Sequence, residues 1–118
     1  MYIYNASVIT MTDKDYNNGF ILIENGKIKA VGDMSDLIGF TPSKEDINAN
    51  GRTAYPGFID AHTHIGAWED GLAFEGDDGN EDTDPSTPHL RAIDMINPCD
   101  RCFCEAAKAG VTSVVCGM

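Results

Sequence analysis

In YIYNASVIT (residues 2–10), apolar positions alternate weakly and β-branched and aromatic residues are frequent, which predicts a strand. The next stretch, GFILIENGKIKAVG (19–32), is clearer. Two apolar runs flank Asn25-Gly26, a dipeptide that supplies the positive φ of a tight hairpin turn. Together these segments predict a small antiparallel β unit. From Ser35 to Asn50 the pattern turns polar, predicting a connection with one short helical turn at Met34 to Ile38, and INANGRTAYPGFIDAHTH (47–64) then resumes extended structure. Pro56 belongs at a strand edge or start, because proline has no amide to donate to a ladder.

After Gly66 the pattern dissolves. AWEDGLAFEGDDGNEDTDPSTPHLRA (67–92) is a long polar loop in which about half of the residues from Glu69 to Asp84 are acidic and none is basic. NPCDRCFCEAAKAG (97–110) carries helix punctuation, with Asn97 as the expected N-cap, Pro98 in the first helical position, Asp100 in the first turn and Gly110 as the stop. VTSVVCG (111–117) reads as a buried strand. From Tyr55 onward the predicted order is strand, long loop, helix, strand, a βαβ unit that implies a parallel sheet. Such a unit buries little by itself, so its sheet calls for more strands than follow Val115.

The chain has 118 residues, 42% of them hydrophobic, which suits one ordinary domain and a folded soluble protein. Its formal charge of −11 opposes binding to a phosphate backbone or an anionic membrane, so neither nucleic acid nor membrane is an expected partner. With no basic leader and no apolar stretch near the roughly 20 residues of a membrane span, the expectation is a cytoplasmic protein. All four cysteines, Cys99, Cys102, Cys104 and Cys116, lie in the last fifth of the chain, and reduced thiols are expected. On a helix Cys104 would point away from Cys99 and Cys102, which argues against a zinc cluster and for Cys99 and Cys102 as small buried hydrophobes. Asp78, Asn80 and Asp82 have the opening spacing of a calcium loop. Thr83 stands where that loop needs glycine and His89 where it needs glutamate, so a solvated acidic loop is the better reading.

The chemistry lies in PGFIDAHTHIG (56–66). Alternation along a strand puts Phe58, Asp60, His62 and His64 on one side and Ile59, Ala61 and Thr63 on the other. Two imidazoles at that spacing can reach one divalent ion, with Asp60 as a carboxylate behind them that orients a ligand or its water. A bare His-x-His more often marks two polar side chains bonded to backbone or solvent, and two ligands fall short of the three that a catalytic zinc takes from its protein.

NANGRTAYPGFIDAHTHIG, preceded by a β unit containing ENGKIKAVG, resembles the opening of the amidohydrolase superfamily of metal-dependent hydrolases, and the loop that follows resembles its imidazolonepropionase-like branch. The resemblance covers nearly the whole chain. It implies an α/β fold in which residues 1–54 form part of a composite β-sandwich. Residues 55–118 would then begin a (β/α)8 barrel of the TIM type, covering strand one, the long loop, helix one and strand two. It implies His62 and His64 as metal ligands, zinc as the expected ion with iron or manganese as alternatives, and hydrolysis of a C–N bond in a small-molecule amide by metal-activated water. The family's remaining ligands and its proton-shuttling aspartate have no counterpart among these residues, so the 118-residue chain alone is expected to be inactive. Trp68, His89 and Arg91 are candidates for substrate contact by their position after the strand-one terminus. The alternative is a non-catalytic remnant or assembly subunit that associates through unpaired sheet edges, and such edges make a homo-oligomer or an aggregation-prone fragment the expected state.

Overall fold

The computed structural model describes residues 1–117. They form two compact units, Met1–Pro56 and Gly57–Met118. In the first unit, β1 (Tyr2–Val8), β2 (Tyr16–Glu24) and β3 (Lys27–Asp33) form an antiparallel meander in spatial order β3-β2-β1. The hairpin between β2 and β3 turns at Asn25 and Gly26, with φ of 51° and 72°, as the dipeptide predicts. The short helical turn is also present, as a 3-10 turn at Met34–Asp36 capped reciprocally by the Asp33 and Asp36 side chains.

The sheet is mixed rather than purely antiparallel. Two-residue strands β4 (Ile47–Asn48) and β5 (Thr53–Ala54) both pair with β1 in parallel. The geometry that admits both is a β-bulge in β1, where Asn5 takes φ of 53° and accepts from the amide of Gly51 at 2.8 Å. Asp46 fixes the returning loop: its carboxylate accepts from the Tyr2 amide at 2.6 Å and from the Ser43 amide at 2.8 Å. These bonds, that of Tyr2 first, hold the carboxyl below the usual aspartate range. Ala6, Val8 and Phe20 are the buried apolar residues of this unit, and Phe40 packs edge-on against Tyr2 and Tyr4.

In the second unit, β6 (Phe58–Thr63) pairs in parallel with β7 (Val111–Cys116). Between them lie a 3-10 turn at Ala73–Gly76, a one-turn helix α1 (Ala92–Met95) and helix α2 (Arg101–Lys108). The order strand, loop, helix, parallel strand matches the pattern of the sequence. Two details differ. The N-cap of α2 is Asp100, whose side chain accepts from the Cys102 amide, and not Asn97, whose oxygen accepts from the Cys99 amide in the preceding turn. Because α2 starts at Arg101, Cys99 lies outside it and is exposed, so it is not the buried hydrophobe that helical placement implied, while Cys102 is half-buried.

Candidate functional site

The end of β6 is where the chemistry-bearing residues gather. Strict alternation does not hold to the end of this strand, because between Asp60 and Thr63 its register against β7 takes up an extra β6 residue, whereas the shift between Phe58 and Ile59 takes up its extra residue in β7. The Asp60 carboxylate turns onto its own backbone and accepts from the His62 amide at 3.1 Å. It contributes to the shape of the strand, and no bond from it to either imidazole is present among the described residues.

The two imidazoles nevertheless come together. The rings of His62 and His64 stand perpendicular with centroids 5.1 Å apart. His64 also stacks on the indole of Trp68, at 4.7 Å and 15° between planes. Its Nδ1 is buried and has no hydrogen-bond partner among the described residues. A buried unpaired ring nitrogen is costly, about 1–3 kcal/mol, and is the state expected of an atom whose partner is a ligand or a group from elsewhere. Paired imidazoles are good donors for zinc or iron, so the residues present fit a divalent ion as two of its ligands. Among the described residues no cluster of three or more His, Cys, Asp or Glu side chains could hold one.

The strand end is held from below by Asp100, a residue the sequence marks only as part of a helix start. One carboxylate oxygen caps α2 at the Cys102 amide and the other accepts from the Gly66 amide, each at 2.9 Å. Gly66 in turn accepts from the Asn97 amide at 2.9 Å. Asp100 is buried, and its amide partners, Cys102 first and then Gly66, hold its carboxyl below the usual range against the opposing effect of burial. Nearby, the Cys116 thiol donates to the Ile65 carbonyl at 3.5 Å.

The structure brings Trp68 to the histidine pair but gives Arg91 and His89 different neighbours. Arg91 makes a two-point ion pair with Asp94, with bonds of 2.9 and 2.7 Å. Both line a polar cavity of about 310 Å³ with Asp78, Asn80, Glu81, Leu90 and Met95. His89 is exposed and acts on the Glu81 carboxylate electrostatically. No hydrogen bond or ring contact joins either residue to His62 or His64 among the described residues. Several acids of the loop bond locally, Glu81 to Thr83, Asp84 to the Ser86 amide, Asp77 to the Gly79 amide and Asp70 to Arg101.

No family model matches the chain. An N-substituted formamide deformylase of Arthrobacter pascens is 33% identical over 97 residues, covering 81% of this chain and 16% of that protein. An imidazolonepropionase of Fusobacterium nucleatum is 46% identical over 50 residues, 42% of this chain and 12% of that protein. A 5-methylthioadenosine/S-adenosylhomocysteine deaminase of Halothermothrix orenii is 38% identical over 66 residues, 52% of this chain and 15% of that protein. Among solved structures, an amidohydrolase from Thermotoga maritima superposes with a TM-score of 0.83 at 40% identity, over 98% of this chain and 29% of the other. The chain thus spans less than a third of each of these proteins. No helix among the described residues is long and apolar enough to cross a membrane.

Proposed function

This chain belongs to the amidohydrolase superfamily, and from that premise we propose that the protein carrying it hydrolyses a C–N bond of a small-molecule amide, with His62 and His64 as two ligands of a divalent metal ion. The observation that carries the reading is the histidine pair itself: two imidazoles 5.1 Å apart at a strand end, one with a buried nitrogen that lacks a partner. Zinc is the ion of choice for such donors, with iron or manganese as alternatives. Bound there, the ion would lower the pKa of water toward neutrality and polarise the substrate carbonyl.

The chain's own residues do the holding and orienting. Asp60 shapes the strand at the His62 amide, and Asp100 fixes the turn that follows His64. In this reading β6 and β7 are the first two strands of a (β/α)8 barrel, and residues 1–54 belong to a β-sandwich. Support comes from the apolar side chains that the two-stranded sheet leaves uncovered, Ile59 at 71% exposure and Val115 at 57%, since a barrel strand buries both faces. The long loop after β6 then lies at the barrel mouth, where Trp68, His89 and Arg91 would meet substrate.

The test is metal content and turnover of the intact protein on a panel of linear and cyclic amides, compared with His62→Ala and His64→Ala. Loss of both bound metal and hydrolysis in each variant is expected. Unchanged metal content and turnover in the double variant would refute the assignment, and an intact protein that turns over no amide would favour the assembly-subunit alternative.

A further inference from the structure

Trp68 is more exposed than an indole placed for burial. It is 55% exposed, yet its position is determined on several sides. One face of its ring lies on the His64 imidazole, nearly parallel at 15°. Its backbone is locked into a small clasp: the amides of Ala67 and Trp68 both donate to the His64 carbonyl at 3.0 Å, and those of Glu69 and Asp78 close the loop on Gly76 and Ala67 at 2.8 Å. An isolated antiparallel bridge pairs Trp68 with Asp77. The edge of the indole runs across Gly79 so closely that a Cβ there would fall 2.0 Å from Trp68 Nε1 and 2.8 Å from Cδ1. No side chain fits at residue 79 while the indole stays where it is.

Resting on the metal-site reading above, we propose that Trp68 is a positioning residue for the metal ligand His64, and that Gly79 is the residue that permits it. An imidazole on a strand end has two side-chain torsions to fix, and among the described residues no hydrogen bond to either ring nitrogen of His64 fixes them. Metal-bound histidines ordinarily gain their orientation from a hydrogen bond to the second ring nitrogen. Here a flat, nearly parallel indole takes that part: it restricts rotation of the imidazole about its ring axis and shields one of its faces. The clasp of residues 66–79 carries that constraint, so the glycine eleven positions beyond Trp68 tunes a ligand it does not touch.

The experiment uses the intact protein with Trp68→Ala, Trp68→Phe and Gly79→Ala, and His62→Ala as reference. Two readouts are taken: the ring-current shift of the His64 carbon-bound protons in the metal-free state, and zinc affinity by competition with a chromophoric chelator. We expect the upfield shift of the His64 protons to be lost in Trp68→Ala and Gly79→Ala and largely kept in Trp68→Phe. Zinc affinity should fall about 10- to 100-fold in the first two and recover most of that loss in the third, the range typical when a partner orienting a metal ligand is removed. Loss of the shift with unchanged affinity would overturn the positioning role while leaving the metal site standing, provided His62→Ala still abolishes binding. If His62→Ala binds zinc as tightly as the parent, the metal reading fails and this proposal fails with it. Should Trp68→Ala not fold, Gly79→Ala, which keeps both rings, decides the matter alone.

Discussion

Replacing Asp100 should loosen the strand end that carries the histidines, by an amount the geometry allows to be worked out. Its carboxylate makes two bonds of 2.9 Å, one to the Cys102 amide as the cap of α2 and one to the Gly66 amide 34 residues away. Losing a helix cap to alanine costs about 1 kcal/mol. The Gly66 amide is buried and would lose a charged acceptor, worth about 1.5–3 kcal/mol. Asp100→Ala should therefore cost about 2.5–4 kcal/mol in all. Amide hydrogen exchange separates the two parts. In Asp100→Ala both amides should exchange faster, that of Gly66 by about 10- to 100-fold, since 1.4 kcal/mol is a factor of ten. In Asp100→Asn the single carbonyl oxygen keeps the cap, for which asparagine is well suited, while its NH₂ meets the Gly66 amide donor to donor. Cys102 should then stay protected while Gly66 does not. Equal protection of Gly66 in all three proteins would refute the view that this carboxylate fastens the strand end to the helix.

Two further outcomes follow from the same geometry. A Cβ at Gly57 would lie 2.2 Å from Thr112 Oγ1 and 2.7 Å from its Cβ, so Gly57→Ala should destabilise by about 1–3 kcal/mol in urea unfolding, and Thr112→Ala should recover only part of that because its own Cβ remains; full recovery would contradict the clash with that Cβ. The Asp46 carboxyl is held low by its Tyr2 and Ser43 bonds, so its contribution is fully present above the unfolded value near about 3.9 and is lost only as pH falls through the lower folded value; the Tyr2 amide should stay protected at pH 4 and lose protection below it, and loss already at pH 5 would refute the assignment.

What the sequence made legible was what neighbours in the chain decide. Asn25-Gly26 builds its hairpin from its own φ values, and Asp33 caps its own 3-10 turn. What it hid was decided at a distance. Asn97-Pro98 is a better local helix start than Asp100, yet the helix begins after Asp100, whose second oxygen gains the Gly66 amide. The parallel strands β4 and β5 are two residues each, too short for periodicity to reveal, and exist because a bulged β1 offers them partners. Alternation along β6 misplaced Asp60 for the same kind of reason, since the bulge lets its carboxylate reach the His62 amide.

The motif PGFIDAHTHIG is therefore two things joined at Gly66. In the proposed metal site His62 and His64 would supply donor atoms, and the glycine supplies the turn that follows them. Gly66 adopts φ of 82°, and a Cβ there would lie 3.0 Å from the Phe103 ring and 3.1 Å from Ile96. Any other residue would be strained in its backbone and would push α2 from the strand end, parting the Gly66 amide from Asp100. The His64 carbonyl, two residues before, receives both amides that begin the Trp68 clasp. Orientation of the imidazoles thus depends on a glycine, a helix cap and an indole that the spacing of the histidines does not encode. A His-x-His lacking them would keep its imidazoles and lose the rigidity that the proposed metal site asks of them.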